Sequence, residues 1–242
     1  MVSPDLRQTS ETGGQTLETE VLIIGGGVTG AGIMRDLALR GIHTLLVDKQ
    51  DLCAGASGGN HGLLHSGGRY VSNDLHAAIE CRVENEILKK LAPQCVEDTG
   101  GIFAAVEGDD LDFANQFPEF CNKAGISVEE LSVKEALELE PFLSPKLVKA
   151  YRVPDATIDP FRLALENVAH ARAFNDSVYR PHTQIVNFIT RDGVIKEAVC
   201  RDNRNGTTLH IRAKQFINAG GAWAMNIAQL AGCNDVHLSY SK

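Results

Sequence analysis

The chain of 242 residues is 43% hydrophobic and 22% charged, an ordinary balance for a folded globular protein that excludes wholesale disorder. Its formal net charge of -8, without clustered Lys and Arg, excludes nucleic acid as a main partner, while a local site for a small anion remains compatible with that sum. No apolar run of about 18 residues is present to span a membrane, and the six cysteines (Cys53, Cys81, Cys95, Cys121, Cys200, Cys233) show neither C-x-x-C nor zinc spacing with His. They read as free or buried thiols of a reducing cytoplasm, and no metal site is expected.

Residues 1–19 are polar, carry Pro4, Gly13 and Gly14, and lack the apolar segment of a signal peptide, so they read as a flexible leader. Val21-Leu22-Ile23-Ile24 predicts a strand over 20–24, and a helical pattern covers 28–40. Between them Gly25, Gly27 and Gly30 form G-x-G-x-x-G in the context that gives it meaning: a strand, a tight turn and a helix start. A second strand over 43–47 ends on Asp48, 18 residues after Gly30. Gly25 permits the turn, Gly27 lets a diphosphate approach the backbone, and Gly30 lets the helix lie close to the strand. The diphosphate belongs at the helix N-terminus, where unpaired N–H groups and the helix dipole favour an anion. Asp48 can accept hydrogen bonds from a ribose diol.

A loop rich in Gly, Ser and His then runs to about residue 72, followed by a helix over 74–92 that Pro93 stops. A strand is predicted at 101–106, with helices at 109–124 and 132–140, the latter ended by Pro141. A strand at 147–153 meets the turn-rich Pro154-Asp155; Asp159 as N-cap and Pro160 at the first helical position open a helix to about 173. Strands follow at 183–191, 194–201 and 207–218, joined by turns at Asp192-Gly193 and Asn205-Gly206, and a helix at 223–232 ends the pattern. No internal repeat or low-complexity segment occurs.

This order separates two cofactors. An NAD domain continues as regular strand and helix alternation after its second strand, whereas here the alternation breaks off and an antiparallel meander arrives only near residue 183. The layout favours FAD over NAD. The expected fold class is α/β: a Rossmann-like FAD-binding domain of the glutathione-reductase or D-amino-acid-oxidase type over 20–242, interrupted by a mixed α+β region at about 75–180 that forms part of a substrate domain.

The loop from Ala54 to Tyr70 holds two His, an Arg and a Tyr among its glycines. Glycines there let backbone N–H groups approach a diphosphate or a flavin ring, and Leu63, Leu64 and Tyr70 have little reason to appear in a solvated linker. Arg69 suits bidentate contact with a phosphate; the alternative is an Arg that caps a helix or pairs with an acid. His61 and His65 are the candidate proton acceptors, because His titrates nearest neutrality, and for each the alternative is a structural hydrogen-bonding role. The catalytic base is not assigned between them.

Four segments carry a family resemblance: 21–32, Asn60 to Tyr70 (Asn-His-Gly-Leu-Leu-His-Ser-Gly-Gly-Arg-Tyr), Val153 to Leu163 (Val-Pro-Asp-Ala-Thr-Ile-Asp-Pro-Phe-Arg-Leu) and Asn218 to Trp223 (Asn-Ala-Gly-Gly-Ala-Trp). They resemble the FAD-dependent glycerol-3-phosphate dehydrogenases, the anaerobic enzyme's flavin-bearing chain among them, within the wider D-amino-acid-oxidase-like flavoproteins. The resemblance implies that Gly25, Gly27, Gly30 and Asp48 hold the ADP half of FAD, and that Ser57, Asn60, His61, Gly62 and Leu63 lie along the diphosphate and flavin. It further implies that the Val186 backbone meets the adenine, that Ala219 and Gly220 close over the dinucleotide, and that Arg69 and Tyr70 lie near the substrate phosphate.

The activity implied is oxidation of sn-glycerol 3-phosphate to dihydroxyacetone phosphate in anaerobic respiration, with electrons leaving through companion subunits to quinone. The resemblance also places the protein in the cytoplasm, peripherally at the inner face of the membrane through those subunits. Family members are longer than this chain, so an N-terminal fragment without the C-terminal substrate half is expected, inactive alone. The other readings are an amino- or hydroxy-acid oxidoreductase of the wider group and a non-catalytic FAD-holding fragment.

Overall fold

The computed structural model describes residues 9–11, 14–235 and 237–239. In chain order the first elements are β1 (Thr9–Glu11), β2 (Gly14–Ile24), α1 (Val28–Leu39) and β3 (Thr44–Val47). Then come β4 (Leu63–Leu64), α2 (Leu75–Leu91), β5 (Val96–Glu97), β6 (Gly101–Val106), α3 (Leu111–Lys123), β7 (Glu129–Leu131), α4 (Val133–Leu139), β8 (Leu147–Val153) and β9 (Ala156–Ile158). The chain finishes with α5 (Pro160–Asn175), β10 (Val178–Arg180), β11 (Thr183–Arg191), β12 (Val194–Asp202), β13 (Thr208–Asn218) and α6 (Ala224–Leu230).

The chain divides into two compact units, one made of residues 1–60 and 160–242 and the other of His61–Asp159. The second begins and ends earlier than the 75–180 expected for the inserted region. The first unit carries a sheet in the order β10-β3-β2-β13-β12-β11, with β1 paired to the start of β2. β10, β3, β2 and β13 run parallel, and β13, β12 and β11 form the antiparallel meander. Alternation along β2 sorts its side chains onto two faces. Val21 and Ile23 join Ala31, Met34 and Ala38 of α1 and Ala164, Val168 and Ala171 of α5 on one side. Leu22 and Ile24 join Leu45, Ile185, Phe188 and Ile211 on the other. β3, buried at all four positions, shows the unbroken apolar run of a covered parallel strand.

The leader expected over 1–19 is corrected by β2, which begins at Gly14, so residues 14–19 are sheet and Leu17 is 1% exposed. Apart from Leu17 the segment is polar and gives no local strand signal; its partner is β13, whose Leu209 pairs with Gln15 and whose Asn218 pairs with Ile24. Thr9–Glu11, as β1, are also sheet, and the rest of the expected leader, residues 1–8, 12 and 13, lies outside the described residues.

The hairpin turn at Asp192-Gly193 is as predicted, with both residues at positive φ (53° and 73°), the pair of left-handed conformations that a type I′ turn needs. Asn205-Gly206 differs. Asp202 O accepts from Gly206 N, and Asn205 Oδ1 accepts from Thr207 N, so the connection is a longer loop held by side chains. The last helix is preceded by a 3-10 turn, Gly221–Trp223, and ends at Leu230, before Gly232 at φ 77°.

In the second unit β6, β8 and β7 form one sheet and β4, β9 and β5 a smaller one. α2 is capped by Asp74, whose carboxylate accepts from Ala77 N, and α4 by a reciprocal pair of bonds between Ser132 and Glu135. Phe117 and Cys121 of α3 pack with Val71, Ala78, Tyr151 and Val153 to make the core.

Candidate functional site

In the first unit the glycine turn lies where β2 meets α1, with β3 on one side of β2 and β13 on the other. From β2 the sheet winds outward through β3 to β10 on one side, and the β11–β12–β13 meander comes back to β2 from the other, so the direction of winding changes beside β2 and its carboxyl end is a topological switch point, the place where open α/β sheets bind ligands. A cleft of about 220 Å³ opens there, lined by Gly25, Gly27, Asp48, Ser57 and the Ala219–Trp223 segment among others.

Each glycine has its own geometric reason. Gly25 sits at φ 115°, and a Cβ there would collide with the carbonyl of Ala219 at the end of β13. A Cβ on Gly30 would collide with the carbonyl of Gly25, so this glycine seats the helix on the turn itself. A Cβ on Gly27 would come 3.0 Å from Ser57 Oγ. That hydroxyl accepts a hydrogen bond from Val28 N at 3.0 Å, so Ser57 already satisfies one of the N–H groups that the start of α1 leaves without an intrahelical partner.

Asp48 is more constrained than the sequence suggested. Its Oδ2 accepts from Gly26 N at 2.6 Å and its Oδ1 from Gln50 N at 2.8 Å. Each carboxylate oxygen retains a lone pair for a ribose hydroxyl, so Asp48 both pins the glycine turn and faces the cleft. Ala219 N donates to Ile24 O at 2.8 Å, and Asn218 Oδ1 accepts from Gly220 N at 3.1 Å, which fixes Ala219 and Gly220 beside the turn. From β11 the cleft is lined by Thr183, Gln184 and Ile185; Val186 is the next residue, exposed at the β-bulge between Ile185 and Asn187. Two lining residues that sequence reasoning missed are Lys49 and Trp223, whose ammonium and indole ring stack at 3.7 Å. Trp223 closes the Asn218–Trp223 segment and Lys49 follows the acid, so position alone would have pointed to both.

Burial and the nearby Asp48 charge raise the Cys53 thiol above its ordinary value. Burial also pushes Cys200 up to about 12. These are inert side chains of the core, and all six cysteines are free. Among the described residues no group of His, Cys, Asp and Glu is arranged to hold a metal ion, and no helix is long and apolar enough to cross a membrane.

Asn60, the last residue of the first unit's opening segment, donates from Nδ2 to Ser57 O at 2.7 Å. The other loop residues lie in the second unit, which brings the two most specific segments together. Leu63 pairs with Thr157 and Leu64 with Ala156, Gly62 O accepts from Ile158 N at 2.8 Å, and Ser66 N donates to Asp155 Oδ1 at 2.6 Å. His61 Nδ1 accepts from Leu63 N at 3.2 Å, and its ring meets that of His65 edge-on at 5.5 Å between centroids.

Arg69 and Tyr70 sit in the 3-10 turn Gly68–Tyr70, entered through Gly67 at φ 100°. Tyr70 packs on the core formed by Val71, Ala78 and Phe117. Arg69 is exposed and makes no ion pair among the described residues, against the alternative of an Arg committed to a cap or an acid.

The sequence signature of the FAD dependent oxidoreductase family matches residues 20–240. The A chain of the anaerobic glycerol-3-phosphate dehydrogenase of Escherichia coli is 42% identical over 213 residues, 88% of this chain and 39% of that protein. The corresponding A1 chain of the Haloferax volcanii enzyme is 41% identical over 223 residues, 88% of this chain and 38% of its own. Among solved structures, the glycerol-3-phosphate dehydrogenase of Bacillus halodurans complexed with FAD superposes with a TM-score of 0.66 at 26% identity, over 88% of this chain and 36% of that one. The L-proline dehydrogenase of P. horikoshii gives 0.75 at 23% identity, covering 89% and 56%, and supports the fold. The chain thus spans about two-fifths of the length of the curated relatives it matches, 39% for the Escherichia coli protein.

Proposed function

The chain belongs to the FAD dependent oxidoreductase family, and on that premise we propose that it is the dinucleotide-holding part of a protein that oxidises sn-glycerol 3-phosphate to dihydroxyacetone phosphate. The observation that carries this reading is the pairing of Leu63–Leu64 with Ala156–Thr157, extended by the bond from Ser66 N to Asp155. It brings the buried carboxylate of Asp155 up to His65, four residues before Arg69, and so joins the two chain segments that most specifically resemble the glycerol-3-phosphate dehydrogenases.

The cleft at the end of β2 fits FAD: it has a cradle between Gly27 and Ser57 that a Cβ at Gly27 would narrow, a helix start for the diphosphate and a carboxylate for a ribose. Gly25, Gly27, Gly30, Asp48, Ser57, Ala219 and Gly220 hold the ADP half, with the backbone at Val186 toward the adenine. Asn60, His61, Gly62 and Leu63 serve the diphosphate and flavin. When bound, FAD supplies the redox chemistry, accepting a hydride from C2 of the substrate. The protein's share is orientation and proton transfer. Arg69, without an internal partner among the described residues, takes the phosphate with Tyr70 beside it, and a histidine of the 61–65 segment takes the hydroxyl proton.

Electrons leave through companion subunits to quinone, a reading supported by the naming of the relatives as one lettered component of a larger enzyme, and the protein works in the cytoplasm at the inner face of the membrane. The test is anaerobic bleaching of the FAD-loaded protein carrying this chain. Bleaching by sn-glycerol 3-phosphate and not by proline, glycine or 2-hydroxy acids is expected; the reverse pattern overturns the assignment.

A further inference from the structure

Asp155 is the one buried carboxylate among the described residues of the His61–Asp159 unit, 4% exposed. The absence of a side chain on Gly101 makes its room, because a Cβ there would come 2.8 Å from Asp155 Cβ. One oxygen, Oδ1, is committed to Ser66 N at 2.6 Å. The other, Oδ2, faces His65 Nδ1 at 3.7 Å, and that ring nitrogen is buried without a hydrogen-bond partner. The neighbouring Cys121 thiol, raised to about 11 by burial and then by the Asp155 charge, is neutral and offers no compensating cation.

The two histidines therefore stand in different situations. His61 Nδ1 accepts the Leu63 N–H, so its own proton lies on Nε2 and its ring belongs to the turn. His65 Nδ1 has only a carboxylate in front of it, and a carboxylate can only accept. Which nitrogen of an imidazole carries the proton is set by the partner of the other one.

We infer that Asp155 is a positioning residue that fixes His65 as its Nδ1–H tautomer and leaves Nε2 as the free proton acceptor of the loop. The assignment of that proton to the substrate hydroxyl rests on the proposed function. The O–H bond breaks and an N–H bond forms at Nε2, while the hydrogen on C2 leaves with its electron pair to FAD. The imidazolium so formed faces the Asp155 charge at short range, as in other carboxylate–histidine pairs whose catalytic worth depends on the tautomer.

Nitrogen-15 NMR of the 242-residue chain labelled at histidine, with His65→Gln to assign the ring signals, tests the tautomer without flavin or substrate. The parent should show Nδ1 protonated and Nε2 bare. In Asp155→Asn the side-chain oxygen keeps the Ser66 bond and the amide nitrogen becomes a donor toward Nδ1, so the ring should switch to Nε2–H. A parent ring that is Nε2–H or averaged, or an identical tautomer in both proteins, overturns the inference. If Asp155→Asn does not fold, the parent spectrum alone decides. A failed bleaching assay with a confirmed tautomer would remove the substrate and leave the pair intact.

Discussion

The carboxylate of Asp48 at the end of β3 accepts the backbone N–H of Gly26 at 2.6 Å, so the acid expected to greet a ribose also holds the glycine turn in place. Asp48→Ala should consequently cost on the order of 1 to 3 kcal/mol of folding stability with no flavin present, by leaving the Gly26 N–H without its acceptor, and weaken FAD binding as well. Urea unfolding of the flavin-free protein and flavin-fluorescence titration separate the two effects. Unchanged unfolding with weakened binding would assign Asp48 to the ligand alone.

Gly25 and Gly32 lie seven residues apart and should respond oppositely to alanine. At Gly25 a methyl meets the Ala219 carbonyl and the backbone is at φ 115°, so Gly25→Ala should destabilise by about 2 kcal/mol or more. At Gly32, inside α1, nothing lies within 4 Å of the added carbon, and Gly32→Ala should stabilise by about 0.5 to 1 kcal/mol. Equal effects in denaturant unfolding would count against the packing described for the turn.

Gly27→Val places branched carbons against Ser57 Oγ, at the mouth of the helix start. Flavin uptake should be lost while far-ultraviolet circular dichroism keeps its helical content, because Gly27 is outside α1 and its φ of -80° is open to any residue. A purified mutant that stays yellow would sink the assignment.

Arg69→Ala, in the FAD-loaded protein carrying this chain, should lower kcat/KM for sn-glycerol 3-phosphate by about 10- to 100-fold, the worth of a charge-assisted hydrogen bond, and leave flavin content unchanged. Added inorganic phosphate should inhibit the parent and not the mutant. Loss of flavin along with activity would make Arg69 a structural residue.

On β12, Glu197 bonds His210 Nδ1 at 2.6 Å and Arg212 Nε at 2.9 Å. Burial alone would raise this carboxyl, but the two partners outweigh it and hold the value below the ordinary range. A carboxyl lowered in the folded state contributes stability that is present above the unfolded value, about 4.3, and is lost as pH falls through the folded value. The stability gap between parent and Glu197→Gln should therefore be full near pH 6 and shrink as pH drops below about 4. A gap independent of pH would show that the carboxylate charge contributes nothing.

Long elements were legible because their signals are local. The β2 and β3 apolar runs, the helix of Leu75–Leu91 with its Asp74 cap, and the strands Gly101–Val106, Leu147–Val153 and Thr183–Arg191 follow from periodicity and punctuation. β4, β5, β7 and β9 were not predicted, because strands of two or three residues carry no period and exist through distant partners such as Leu63 with Thr157. The same holds for β10, which pairs with β3. At the site, the glycine motif and Asp48 could be read from spacing. The Lys49–Trp223 stack and the approach of Asp155 to His65 could not, since each joins residues far apart in sequence that only the fold makes neighbours.

The pairing of β2 with β13 joins residues 194 positions apart, as in the ion pair of Glu20 with Lys214. A ribosome adding about 5 to 20 residues per second needs on the order of 10 to 40 s to supply the second strand after the first. Throughout that interval the β13-facing edge of β2 presents unpaired N–H and C=O groups beside the apolar Val21–Ile24, a template for any other extended chain. The nascent protein therefore passes through an aggregation-prone stage that the finished fold conceals, and holdase chaperones that bind extended apolar segments should act on it before residue 218 is made.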